Sequence, residues 1–88
     1  MSDLRVYERI SDAVGWTPLV RLRRTFEDFP GEVFAKIEFM NPMGSVKDRI
    51  ARFMIEQALR QGRLRPGDVL VENSSGNTAM GLAMMAAL

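Results

Sequence analysis

The chain of 88 residues carries 12 Lys and Arg against 11 Asp and Glu, and it contains neither Cys nor His. Disulfide frameworks, thiolate nucleophiles, zinc ribbons and iron–sulfur clusters are thereby excluded, as are Ser–His–Asp and Cys–His mechanisms. A net charge of +1 argues against nucleic acid or an anionic membrane as the main partner, while 47% apolar residues is the fraction of an ordinary globular chain.

The first residues, MSDLRVYERI, are too charged for a signal peptide. The longest nearly continuous apolar stretch, 79–88, is about half of the roughly 20 residues that cross a bilayer. A soluble, cytoplasmic α/β chain is expected. The acidic residues are scattered without ligand spacing, so no metal site is predicted.

Taken in order, residues 4–14 place Leu4, Tyr7, Ile10, Ala13 and Val14 at near-helical spacing, which predicts a short amphipathic helix ending at Gly15. Trp16-Thr17-Pro18 then turns into a short strand over 19–23. Pro30-Gly31 punctuates a loop, and 33–39 alternates as a strand with Val33, Ala35, Ile37 and Phe39 on one face. Asn41-Pro42-Met43-Gly44 reads as a loop, because Pro restricts the residue before it and Gly relaxes the turn.

Residues 45–60 give the clearest helix, with Ile50, Ala51, Met54, Ile55, Ala58 and Leu59 on a wide apolar stripe. Ser45 and Asp48 form a capping pattern at its start, and Gly62 stops it. After a connection punctuated by Pro66-Gly67, 69–72 reads as a short buried strand. A polar loop over 73–76 leads to a final helix opened by Asn77 or Thr78, with no stop signal after it. That open end predicts a part of something larger. The order over 33–88 is a βαβα unit. With parallel strands, the loops 41–45 and 73–77 share the carboxyl edge of the sheet, where open α/β folds bind ligands.

Two places could carry chemistry. Lys47, one of only two lysines beside Lys36, sits in the first turn of the 45–60 helix, where unpaired N–H groups make a positive end. An ammonium is disfavoured there, which suits an amine that forms a Schiff base; the plainer alternative is a lysine extended into solvent. Gly44-Ser45 lacks the spacing of a P-loop. In Ser74-Ser75-Gly76-Asn77-Thr78, backbone N–H groups, hydroxyls and an amide can converge on a carboxylate or phosphate, and the plainer alternative is a helix N-cap. Trp16 and Phe53 read as core or staple residues, the seven Met as gap-filling core or subunit contacts, and Arg21, Arg23 and Arg24 as a solvated edge.

Three blocks, read together, resemble the fold-type II pyridoxal-phosphate enzymes of the cysteine synthase and cystathionine β-synthase family. They are Gly15-Trp16-Thr17-Pro18-Leu19-Val20-Arg21-Leu22, then the run from Lys36-Ile37-Glu38 through Asn41-Pro42-Met43-Gly44-Ser45-Val46-Lys47-Asp48-Arg49, then Glu72-Asn73-Ser74-Ser75-Gly76-Asn77-Thr78. The resemblance implies a βαβα portion of an open, mainly parallel three-layer sandwich of the tryptophan synthase β-like kind, incomplete over the single unit 1–88. It implies pyridoxal 5'-phosphate as cofactor, with Lys47 forming the Schiff base and acting as the catalytic base, and Asn77 bonding the ring hydroxyl oxygen. Ser74, Ser75, Gly76, Asn77 and Thr78 would bind the α-carboxylate of O-acetylserine or serine, and a full-length form would be a homodimer. The implied reaction replaces the β-substituent by sulfide to give cysteine, with the 88-residue chain alone inactive. The alternatives are a cystathionine β-synthase-type replacement, a non-catalytic module pairing with a full-length homologue, and an unrelated phosphate-binding α/β domain. Trp16, Met43 and Asn73-Ser74 depart from the residues usual in the family.

Overall fold

A computed structural model describes residues 4–74 and 76–88. Two helices, α1 (Lys47–Arg60) and α2 (Asn77–Ala86), and two strands, β1 (Leu19–Arg21) and β2 (Phe34–Lys36), make up its regular structure, with single 3-10 turns at Ile10–Ala13 and Glu38–Met40.

Helix α1 forms where the apolar stripe predicts it, starting two residues late, at Lys47 instead of Ser45. The start is made differently from a capping box. Ser45 Oγ accepts from the Lys47 N–H at 3.0 Å, and the buried Asp48 carboxylate accepts from the Met43 N–H at 2.6 Å. The end is a Schellman motif: Arg63 N–H donates to Ala58 O at 2.9 Å and Gly62 N–H to Leu59 O at 3.1 Å. Gly62 supplies the left-handed φ of +74° that the motif requires. Helix α2 begins at Asn77, as expected, on the extended backbone of Gly76.

The two helices pack on each other and hold the core. Ala51 and Ile55 of α1 meet Leu82, Met84 and Met85 of α2, with Val14 delivered from the N-terminal segment and Met43 and Leu64 at the margin. Each fully buried aliphatic or Met side chain of this set is worth about 1.5–3 kcal/mol relative to exposure. The molecule is nevertheless open. Its radius of gyration of 16.7 Å exceeds the roughly 12 Å of a compact chain of this length. Its accessible surface of 7062 Å² exceeds the roughly 5,200 Å² of a folded chain of this mass.

Three expectations are corrected. The parallel pair between 33–39 and 69–72 does not form; among the described residues the one ladder is antiparallel, β1 with β2, pairing Leu19 with Lys36, Val20 with Ala35 and Arg21 with Phe34. A strand exists only with a partner for its N–H and C=O groups, and 69–72 has none here; Val69 and Val71 are 85% and 91% exposed instead of buried. The helix over 4–14 is reduced to the turn Ile10–Ala13, because Leu4, Val6 and Ile10 project into solvent and short helices draw their stability from packing. Neither Trp16 nor Phe53 belongs to the core: both are exposed, and Trp16 is covered on one face by the Arg5 guanidinium, 3.8 Å from the ring centre.

Candidate functional site

The start of α1 is held by a polar knot that joins three distant stretches of chain. Arg49, two residues after Lys47, donates from Nε to Glu38 Oε1 and from Nη2 to Glu38 Oε2 at 3.0 Å, to Gly15 O at 3.0 Å and to Thr17 Oγ1 at 3.2 Å. Thr17 Oγ1 itself donates to Glu38 Oε2. Buried Asn41 completes the knot. Its Oδ1 accepts from Gly15 N–H at 2.8 Å, and its Nδ2 donates to Glu38 O at 2.9 Å and Ser45 O at 3.0 Å.

Gly15 is required at this crossing twice over. Its φ is +91°, and a Cβ there would lie 3.0 Å from Arg49 Nη1. The Arg49 guanidinium, with further help from Thr17 and Asn41, holds the Glu38 carboxyl down at about 2, from an ordinary 4.5. Glu38 in turn raises the Arg49 guanidinium. Charge-assisted, bidentate bonds of this kind fix orientation as well as adding energy.

Sequence reasoning missed this knot as a unit. Its members are 34 residues apart at the extremes, Gly15 to Arg49. The local signal was Asn41 three residues after Glu38 and directly before Pro42, a polar residue positioned to close the Glu38–Met40 turn.

Lys47 occupies the first position of α1 and is exposed. Among the described residues its ammonium has no hydrogen bond or ion pair, whereas the other lysine, Lys36, donates to Thr17 O. Asn77 is the exposed first residue of α2, Thr78 after it is half-buried, and Ser74 Oγ accepts from Gly76 N–H at 3.3 Å. No side chain caps α2, so the N-cap alternative for the serines is not realised among the described residues. Ser75 lies outside the described residues.

The two helix starts are brought together by a close crossing. A Cβ placed on Gly81 would lie 2.9 Å from Ala51 Cβ and 3.3 Å from Lys47 O, so the first turn of α1 rests on the second turn of α2. Asn77 stands one turn, about 6 Å along the axis, before that contact. Two grooves with mixed apolar and charged linings lie along the helix pair. One, of about 590 Å³, runs past Ile55, Leu59, Leu64, Leu70 and Met85; the other lies between Phe53 and Met54 and the 69–72 segment. Neither is lined by Lys47 or Asn77.

An exposed amine and a helix start, each without a side-chain partner among the described residues, are groups suited to a carbonyl compound that carries anionic groups. Residues 10–88 match the family described as pyridoxal-phosphate dependent enzyme. The chain belongs to that family. It is 50% identical over 80 residues to a cysteine synthase of Staphylococcus aureus, covering 91% of this chain and 26% of that protein. It is 49% identical over 80 residues to an N-(2-amino-2-carboxyethyl)-L-glutamate synthase of Ralstonia nicotianae, covering 91% of this chain and 24% of that one. The crystal structure of a cysteine synthase from Entamoeba histolytica superimposes with a TM-score of 0.89 at 38% identity, over 99% of this chain and 28% of that one. The chain therefore spans about a quarter of the length of the relatives it matches. The Lys47 amine and, one turn from the helix crossing, the Asn77 amide are of the chemical kinds that could hold such a cofactor. Among the described residues no helix is long and apolar enough to cross a membrane.

Proposed function

We propose that this chain forms the lysine-bearing part of a cysteine-synthase-type site, which replaces the β-substituent of O-acetylserine by sulfide and yields cysteine and acetate. The cofactor, when bound, supplies the electron sink that a simple side chain lacks. Lys47 Nζ would be the amine that holds it and the base that takes the substrate's Cα proton. The Asn77 amide donates to the ring hydroxyl oxygen. Ser74, Ser75 and Thr78, with the N–H groups around Gly76 and Asn77, receive the substrate carboxylate. The chain's own contribution is to hold these groups on two helices that cross closely near their starts.

One observation carries this reading: a lysine that is exposed and, among the described residues, unpartnered opens α1, whose first turn packs on the second turn of α2, in a chain 50% identical to a cysteine synthase. We place this site within a cytoplasmic homodimer. A second nucleophile has support of its own. The Ralstonia relative is named for a product in which an amino-carboxyethyl group sits on the nitrogen of glutamate, so an amine can take the place of sulfide in the same scheme.

The purified chain mixed with pyridoxal phosphate should show the absorption of a Schiff base, abolished in Lys47→Ala. With O-acetylserine and either sulfide or L-glutamate the chain alone should turn over at the background rate. Absorption that persists unchanged in Lys47→Ala would overturn the assignment of the amine, and steady turnover by the chain alone would overturn the partial site.

A further inference from the structure

We propose that Gly81 is a positioning residue for the Lys47 site: it sets the spacing between the lysine-bearing turn of α1 and the first turn of α2, and so decides whether Asn77 reaches what Lys47 holds. The inference rests on the reading of Lys47 and Asn77 given above and adds to it a residue outside the motif blocks.

The crossing has no slack. A Cβ on Gly81 would meet Ala51 Cβ at 2.9 Å, Asp48 Oδ1 at 3.3 Å and Lys47 O at 3.3 Å. None of the three can step aside. Lys47 O is helix backbone, Ala51 has no rotamer to change, and the Asp48 carboxylate is fixed by the Met43 N–H at 2.6 Å. Restoring an ordinary carbon–carbon contact would push α2 away by about 1 Å. Met84 and Met85 anchor the far end of α2 in the core, so the displacement falls on its first turn, where Asn77 and Thr78 sit.

A second observation bears on the same crossing. Asp48 is completely buried and, among the described residues, its Oδ1, facing Gly81, has no hydrogen-bond partner. An orphaned buried carboxylate oxygen is costly, and a looser crossing would admit water to it. The fold keeps the tight crossing at that cost, and what the tight crossing supplies is the fixed relation between the two helix starts.

The test is a double-mutant cycle on the full 88-residue chain. Pyridoxal phosphate is titrated into the parent, Asn77→Ala, Gly81→Ala and the double variant. The half-saturation point is read from Schiff-base absorption, with Lys47→Ala as the blank and circular dichroism as the check on helix. Asn77→Ala is expected to weaken binding about fivefold in the parent, the effect of one lost hydrogen bond, and less than about twofold in the Gly81→Ala background. Adding Ala51→Gly to Gly81→Ala removes the 2.9 Å clash and should bring the Asn77 factor back. An Asn77 factor that survives undiminished in Gly81→Ala would overturn the proposal and leave the site reading intact. Asn77→Ala without effect in the parent would overturn the site reading and the proposal with it. Should Gly81→Ala lose its helix, the Ala51→Gly/Gly81→Ala protein decides: recovered helix with the Asn77 factor supports the spacing role, and recovered helix without it contradicts it.

Discussion

Two polar loops precede the two helices of this chain, and they are built in opposite ways. Ahead of α1, the stretch from Gly15 to Arg49 uses Asn41, Glu38, Thr17 and Arg49 to give every crossing strand of backbone a partner. Ahead of α2, the described hydrogen bonds of the 69–76 stretch are those of Gly76, whose N–H donates to Ser74 Oγ and whose O accepts from Met80 N–H, and Val69 and Val71 face solvent. The lysine side of the site is thus fixed by contacts that the chain makes with itself. The side proposed for the carboxylate has its helix start in place but, among the described residues, no paired strand behind it. A site assembled from two such halves is only as ordered as the less supported one.

Breaking the knot should be the most damaging change. Asn41→Ala removes the bonds to Gly15 N–H, Glu38 O and Ser45 O from a residue that is 4% exposed, and should cost about 2–4 kcal/mol in denaturant unfolding. Gly15→Ala should follow at about 1–3 kcal/mol, from the strained φ of +91° and the close Arg49 Nη1.

Acid should loosen the knot selectively. The folded Glu38 carboxyl sits near 2 against an ordinary 4.5, so its contribution is complete above about pH 4.5 and disappears as pH falls through 2. A thermal-melt series across that window should fall more steeply for the parent than for Glu38→Gln. Equal slopes would mean that Arg49 does not hold the carboxylate. At the other end of the scale, Val71→Thr should stay within about 0.5 kcal/mol, since a 91% exposed side chain outside any ladder has little to lose. A Val71 effect as large as that of Asn41 would erase the contrast between the two loops.

How much of this was legible in the sequence follows the range of the interactions. Helix α1, its stop at Gly62 and the start of α2 at Asn77 depend on neighbours three or four residues away, and periodicity and turn chemistry locate them. The exposed Lys47 follows from helix position alone. The antiparallel pairing of Leu19–Arg21 with Phe34–Lys36, in place of a parallel pair with 69–72, depends on which strand finds which partner, and alternation along a strand is silent about that. The knot is silent for a similar reason. Glu38, Asn41 and Arg49 look like ordinary surface residues until folding brings Gly15 and Thr17 to them. Gly81 is legible only as a small residue in an apolar helix, because its significance lies in Ala51 and Lys47 on another helix.

The most direct measurement uses the chain's two lysines as each other's control. After incubation with pyridoxal phosphate and borohydride reduction, peptide mass mapping locates the pyridoxyl group. Lys36, which donates to Thr17 O, should be modified far less than the unpartnered Lys47. Unfolding in denaturant at neutral pH or Asn41→Ala should bring the two toward equality. Modification concentrated on Lys36, or shared equally in the folded parent, would contradict the assignment of Lys47 as the amine of the site.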